Sequence, residues 1–209
     1  AVGAMALDAN TTANDNTAIG YQALTANTTG TSNTALGRTA LAANTTASDN
    51  TAVGRNALTA NTDGFSNTCV GSSAGALITT GDYNVAMGHG ALDALTTGGR
   101  CTAIGTYALT SNTGTYNTGV GMYALNNNTS GQFNSALGYS ALDANTTGEY
   151  NTAVGVYALD ANTTADYNTA IGYNSLTANT TGSENTAVGY ASLEDCTTGV
   201  RNTAVGMEA

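Results

Sequence analysis

The chain has 209 residues, a net charge of −10, four arginine or lysine residues against fourteen carboxylates, and neither proline nor tryptophan. So acidic a surface repels nucleic acid and anionic lipid, because both bind proteins through clustered Lys and Arg. No apolar run approaches the roughly 18 residues of a membrane span, so we expect neither a nucleic-acid partner nor membrane insertion.

A restart of the motif "NTAVG" divides the chain into blocks. The blocks begin at residues 16, 33, 50, 67, 84, 101, 117, 134, 151, 168, 185 and 202, and a partial block precedes residue 16. Every spacing is 17 residues except that from 101 to 117, which is 16. A fixed short period is the sequence mark of a solenoid or array. We therefore predict a single repeat domain over residues 1–209, as a unit or fragment of a longer fibre.

The repeat consensus is N-T-A-V-G-x-x-A-L-x-A-N-T-T-G-x-x, with positions numbered one to seventeen. Position four is always Val, Ile, Leu or Met, position five is always Gly, and position thirteen is always Thr. Two large apolar residues per repeat are too few for the stripe of an amphipathic helix, and abundant Asn, Thr and Gly oppose helix formation. The pattern predicts an all-β fold, a β-solenoid (β-roll or β-helix) of about 12 coils with one 17-residue coil per repeat.

Within a coil, "TAV" predicts one strand and "ALxAN" a second. The glycine at position five is expected to turn one corner, with positive φ or with a neighbouring backbone close by, and "NTTG" to turn the other. Successive coils should stack in register, so that like residues form columns and Asn amides form ladders. The predicted inward-facing core ladder comprises Val154, Leu159, Ile171, Leu176, Val188 and Leu193.

Two irregular blocks extend this scheme. In the block at 67, Gly75 replaces the position-nine leucine and Leu77 lies two places later, which keeps a side chain on the same face of a strand. The block at 101 lacks one residue of the "NTTG" corner, and we expect the turn to absorb that deficit while the strands stay in register.

Position three is nearly always Ala, and it should face away from position four. A strand face open to water would accept larger residues, so we expect a close neighbour there. The chain's own opposite wall, in a flattened coil, is one candidate. A second copy of the chain is the preferred candidate, giving a homotrimer or filament.

The motif "NTAVGYxAL-xANTTG" resembles the short repeats of phage tail-fibre proteins that often precede an endosialidase-type chaperone domain. Its "N-[TS]-A-[VIL]-G" core is also similar to the repeated "SVAIG" of trimeric autotransporter adhesin heads, which are left-handed β-rolls. The resemblance implies an extracellular, cell-surface or virion structure.

The sequence offers little chemistry. His89 stands alone, the three cysteines occupy different repeat positions, and the carboxylates recur irregularly, so we predict no catalytic residue, no metal site and no cofactor. An aromatic strip is the one candidate binding feature, and covering a sheet edge is its alternative explanation. The strip comprises Tyr83, Tyr116, Phe133, Tyr150 and Tyr167.

We therefore predict a structural or adhesive extracellular rod, not an enzyme, that assembles with copies of itself. A cell-surface glycan is a second candidate partner. Two alternatives remain, an ice-binding solenoid with threonine ladders and a glycan-binding module. The consecutive threonines of "NTT", which would lie on opposite faces, count against the first.

Overall fold

The computed structural model describes residues 1–209 and confirms an all-β solenoid with one coil per repeat. Every strand has three residues and falls at repeat positions two to four. No helix long and apolar enough to cross a membrane is present. The strands are β1 (Thr17–Ile19), β2 (Thr34–Leu36), β3 (Thr51–Val53), β4 (Thr68–Val70), β5 (Val85–Met87), β6 (Thr102–Ile104), β7 (Thr118–Val120), β8 (Ser135–Leu137), β9 (Thr152–Val154), β10 (Thr169–Ile171), β11 (Thr186–Val188) and β12 (Thr203–Val205).

The residues group into two compact units, 1–103 and 104–209. In the first unit, β1 to β5 pair in parallel and in chain order. In the second unit, β7 to β12 do the same. Paired residues share a repeat position, as Thr17 and Thr34 do in β1 and β2, so each position forms a column along its unit. That both units belong to one repeat domain remains a prediction.

The strands face the opposite way from the predicted orientation. The position-three side chains, such as Ala153 and Ala170, are fully buried within the chain. The position-four side chains point outward, and Ile171 is 40 % exposed. The core prediction is therefore wrong for the position-four members Val154, Ile171 and Val188, of which the two valines are half-buried.

The opposite wall of the coil explains why position three must be small. At Gly119, which replaces the usual alanine, an added Cβ atom would lie 3.2 Å from Cγ of Leu109 in the preceding coil. The close neighbour of position three is thus the chain's own wall, in a flattened coil. The preference for a second copy at this position is wrong, because alanine and leucine already fill the interior.

The position-nine leucines form the main hydrophobic column of the core. Leu159 and Leu176 are fully buried, as predicted, and Leu193 is half-buried. The predicted second strand, however, is a series of turns. Leu159 within it and Tyr157 just before it lie in the left-handed region (φ 52° and 58°), so the segment is not extended. It still bonds to the next coil, where the Leu159 N–H donates to the Ser175 carbonyl at 3.0 Å.

The glycine column at position five turns the corner as predicted. Gly54 has φ 133°, a value that side-chain-bearing residues rarely adopt. An added methyl group would also meet the Gly71 carbonyl of the next coil. Both of the anticipated reasons for glycine therefore apply at once.

Two buried asparagine columns line the other corner and confirm the predicted amide ladder. At position twelve, Asn44 Nδ2 donates to Oδ1 of Asn27 in the preceding coil at 2.9 Å and to the Ala47 carbonyl of its own coil at 3.0 Å. At position one, the Asn50 N–H donates to Oδ1 of Asn33 at 3.0 Å. These hydrogen bonds pair buried polar groups, which would destabilise the fold if they had no partner.

The two irregular coils behave differently from each other. In the block at 67, Leu77 is 51 % exposed, so it does not replace the missing core leucine. Ile78, at position twelve, fills the space of the missing leucine instead. A Cβ atom added to Gly75 would lie 2.9 Å from the Cδ1 atom of Ile78. In the block at 101, the corner shortens, and Asn112 Nδ2 donates to Gly114 two residues on. The Gly121 N–H still donates to the Ile104 carbonyl at 2.7 Å, which confirms that the turn absorbs the deficit.

Candidate functional site

In each of the two units, the outward side chains of repeat positions two and four form a surface that we call the outer sheet face of that unit. Position two is Thr in most coils and position four is aliphatic in all, so this face carries no charge on a chain with net charge −10. Several of its large apolar side chains are 38–50 % exposed. These are Ile19, Leu36, Met87, Ile104, Leu137 and Ile171. Contiguous exposed apolar surface of this kind marks interaction sites in soluble proteins.

Repeat positions seventeen and six flank the outer sheet face. Exposure alternates with burial from position seventeen to position four of the next coil, as from Tyr167 through Thr169 to Ile171. Position seventeen therefore lies on the same outward side, next to the threonine column. Position six follows the glycine corner on the other side and is exposed at Tyr139, Val156 and Tyr173. We call these columns the seventeen flank and the six flank.

In the second unit, four members of the predicted aromatic strip lie together on the seventeen flank. Successive rings of this stack have centroids 4.9–5.0 Å apart and interplanar angles of 2–11°. The stack runs from Tyr116 through Phe133 and Tyr150 to Tyr167. Near-parallel rings at this distance cover one another's faces, so the inner rings present mainly their edges. A sugar that stacks on an open ring face therefore finds one only at the ends of the stack.

Tyr83, the fifth predicted member of the strip, has a different environment in the first unit. Its ring meets that of Phe65 edge-on at 5.0 Å, and the Arg100 guanidinium lies 5.5 Å from its centroid. The sequence prediction omitted Phe65, which lies at position sixteen. Stacking one coil above the other nevertheless brings positions sixteen and seventeen within reach, so the pair was detectable from the repeat alignment.

A second row of tyrosines follows the six flank of the second unit. Three of its rings stand at position six and three at position seven, with centroid distances of 5.3–6.4 Å between neighbours. The predicted aromatic strip does not include this row. The row comprises Tyr107, Tyr123, Tyr139, Tyr157, Tyr173 and Tyr190. The outer sheet face of this unit is thus bordered by aromatic side chains on both sides.

The invariant threonines at position thirteen serve the solenoid itself. The Thr146 hydroxyl donates to the Thr163 carbonyl of the next coil at 2.9 Å, and Thr129 donates to Thr146 at 2.8 Å. The hydroxyl groups of this column therefore donate hydrogen bonds to backbone carbonyls of the next coil. The threonines at position two instead face outward on the outer sheet face, where Thr17 and Thr118 are exposed.

The carboxylates have separate local environments. At position sixteen, Asp166 accepts the Glu149 backbone N–H of the preceding coil at 2.7 Å, and Asp82 accepts that of Phe65 at 2.9 Å. At position ten, burial raises the pKa of both Asp143 and Asp160, and the charge of Asp143 raises the pKa of Asp160 further. Nowhere do three His, Cys, Asp or Glu side chains lie together as metal ligands would.

The remaining candidate groups are scattered. His89 is exposed, with Nδ1 3.1 Å from the Ser72 carbonyl oxygen. Cys69 and Cys101 are buried and Cys196 is half-buried, all three as free thiols. Burial raises the pKa of Cys69 to about 12, so this thiol is a packing residue opposite Gly75. The structure thus gathers no reactive cluster around any of them.

Comparison with known proteins gives no relative from which to transfer a role. The chain matches no protein-family model, no curated protein and no solved structure. The outer sheet face and its two flanks are therefore the features from which a role can be inferred.

Proposed function

We propose that the chain is a structural β-solenoid that associates with copies of itself through the outer sheet face, as part of an extracellular fibre or surface filament. The observation that carries this proposal is the exposure of the aliphatic position-four column. These side chains keep a large apolar residue in every repeat although they contribute little to the chain's own interior. A partner that buries them gains hydrophobic free energy.

The resemblance of the repeat to tail-fibre and adhesin-head repeats supports the same proposal and the extracellular or virion location. The mechanical role follows from the coil. Parallel backbone ladders, two buried amide columns and the position-thirteen hydroxyls all run along the solenoid axis. Pulling the coils apart breaks many such bonds at once.

Replacing Leu137 by Lys tests the proposal. Leu137 is 50 % exposed, so a lysine there keeps the monomer folded but puts a desolvated charge into the interface. Thr147→Lys, at an exposed position of the same coil but away from the outer sheet face, is the matched control. We expect the parent chain and the control to associate in sedimentation velocity at micromolar concentration, and Leu137→Lys to remain monomeric. Equal association of all three would contradict the proposal.

Ice binding is the second candidate, favoured by the outward threonine column at position two. A regular column of hydroxyl and methyl groups on a parallel sheet gives a repeating surface. The neighbouring column varies between Val, Ile, Leu and Met, which makes that surface uneven. Thermal hysteresis measured on the purified chain distinguishes the two functions, because self-association alone produces none.

A further inference from the structure

We propose that copies of the chain associate with parallel solenoid axes, so that the six flank of one copy lies against the seventeen flank of the next. This inference deepens the proposed function and rests on it. It concerns the direction in which the second copy docks on the outer sheet face. The charges of the first unit carry it.

Around β1 to β3 of the first unit, opposite charges border the outer sheet face. Arg38 and Arg55 lie exposed on the six flank, beside β2 and β3. Asp15 and Asp49 lie exposed on the seventeen flank, beside β1 and β3. Thus β3 has an aspartate before it and an arginine after it, with only uncharged side chains between. Neither arginine forms an ion pair within its own chain.

Symmetry then separates the two ways of packing one face on another. When two copies pack face to face with parallel axes, the six flank of each lies opposite the seventeen flank of its partner. Arg38 and Arg55 then approach Asp15 and Asp49. When the axes are antiparallel, like flanks meet and the order of the coils is reversed, so the arginines of one copy do not lie opposite the aspartates of the other. Complementary charge therefore favours the parallel arrangement.

The same rule holds for a cyclic trimer with parallel axes. Each interface of such a ring joins the six flank of one copy to the seventeen flank of the next. In the second unit the parallel arrangement sets the aromatic seventeen flank against Met122, Tyr139, Val156 and Tyr173 of the neighbouring copy. All four are exposed and uncharged, so the aromatic rings meet no charged side chain there. The charges of the first unit therefore favour the parallel arrangement, and the uncharged side chains of the second unit do not oppose it.

Reversing the charge of one flank tests the direction. Under the parallel arrangement, Arg38→Glu with Arg55→Glu puts glutamate against aspartate and should weaken association about fivefold or more at low salt. Asp15→Arg with Asp49→Arg should weaken it similarly. All four substitutions together restore opposite charges and should return the Kd to within about twofold of the parent value. Under the antiparallel arrangement, no arginine of the six flank faces an aspartate of the seventeen flank in the parent chain, so neither single-flank reversal removes an attraction and neither should weaken association.

Homotypic thiol crosslinking gives a second readout that does not depend on charge. Ile19→Cys and Met87→Cys place thiols on the outer sheet face four coils apart, in a background in which Cys196 is replaced by Asn, the usual residue of its column. Facing sheets lie about 10 Å apart, so the reagent is a bismaleimide that spans about 10 Å. Parallel copies in register bring the same coil of both chains to the same level, so both variants should form crosslinked dimers. Antiparallel copies bring equivalent coils together at only one level along the axis, so at most one of the two variants should crosslink.

The outcomes separate the two proposals. Association of the parent chain without any effect of the single-flank reversals, or a crosslink at only one of the two sites, would overturn the parallel arrangement and leave self-association intact. A parent chain that stays monomeric at tens of micromolar, with the face occupied instead by ice or a glycan, would overturn both.

Discussion

Asn61 and Ile78 occupy the same repeat position in consecutive coils, and the buried Oδ1 atom of Asn61 has no hydrogen-bond donor. In the coils before it, this oxygen accepts the Nδ2 group of the next asparagine, as Asn44 accepts from Asn61 at 3.0 Å. Ile78 ends the ladder because it supplies the apolar volume that Gly75 lacks. At this point the column loses one hydrogen bond between asparagine side chains, and the core gains apolar packing.

This ladder end predicts unequal costs for the same substitution in adjacent coils. Asn61→Leu removes the unpaired oxygen but leaves Asn44 Oδ1 unpaired, so the break moves by one coil. Asn44→Leu leaves Asn27 Oδ1 unpaired while Asn61 Oδ1 stays so, which doubles the number of unsatisfied atoms. We expect Asn44→Leu to be the more destabilising by about 1–3 kcal/mol in urea denaturation. Equal costs would contradict the assigned role of the ladder.

The glycine corner predicts a sharp difference between two glycines of one coil. Gly121→Ala must hold φ near 134° and push a methyl group against the Gly138 carbonyl, so we expect a loss of about 3 kcal/mol. Gly119→Ala is the control, because alanine occupies the same column in nearly every other coil. Thermal unfolding followed by circular dichroism compares them. A Gly121→Ala variant as stable as Gly119→Ala would refute the corner assignment.

The orientation of the strands predicts which apolar residue stabilises the single chain. Leu159→Ala opens a cavity in the fully buried column and should cost about 2–4 kcal/mol. Val154→Ala, in the same coil but half-exposed on the outer sheet face, should cost less than about 1 kcal/mol when measured below the concentration at which copies associate. The reverse order would mean that position four faces the core after all.

The paired aspartates predict a pH dependence of stability. Burial raises the pKa of Asp143 and Asp160 in the folded chain, so their ionised forms destabilise the fold relative to their protonated forms. Their contribution to stability is full below the unfolded pKa of about 3.9 and is lost as the pH rises through the folded values. Asp143→Asn with Asp160→Asn should therefore raise Tm at pH 7 by about 1–3 °C, and the gain should vanish at acidic pH.

Removing two exposed carboxylates instead controls for the change of net charge. Asp63→Asn with Asp195→Asn makes the chain less acidic by the same amount. A gain in Tm of the same size at pH 7 would mean that net charge, and not the burial of Asp143 and Asp160, sets the effect.

The repeat predicted the solenoid, the glycine corner and the amide ladder because each of these needs a particular residue type at a fixed position. It could not decide which face of the strand is inside. Alternation places Ala153 and Val154 on opposite faces but does not say which is buried, and the larger side chain was the natural choice. The decisive fact is the distance to the opposite leucine wall, which depends on how the turns flatten the coil.

Those turns depend on backbone conformations that no apolar pattern reveals. Leu159 adopts φ 52° although leucine seldom occupies the left-handed region. The sequence predicts an extended segment here, because "ALxAN" alternates like a strand. The outer sheet face is equally hard to predict from the sequence. The spacing of the aromatic strip reveals that strip, but the large aliphatic side chains at position four suggest core residues.

The left-handed residues at positions seven, nine and seventeen also bear on how the chain folds. Apart from the coils with Gly75 and Gly90, each coil must place three side-chain-bearing residues, such as Tyr157, Leu159 and Tyr167, in a region that costs about 1–2 kcal/mol apiece. An isolated coil has no neighbour to offset that free-energy cost, so formation of the first pair of coils must cross a high activation barrier. Once it has formed, every further coil closes onto a finished template seventeen residues away along the chain. Folding should therefore be limited by the first pairing and proceed by rapid one-dimensional growth, at a rate that adding coils scarcely slows.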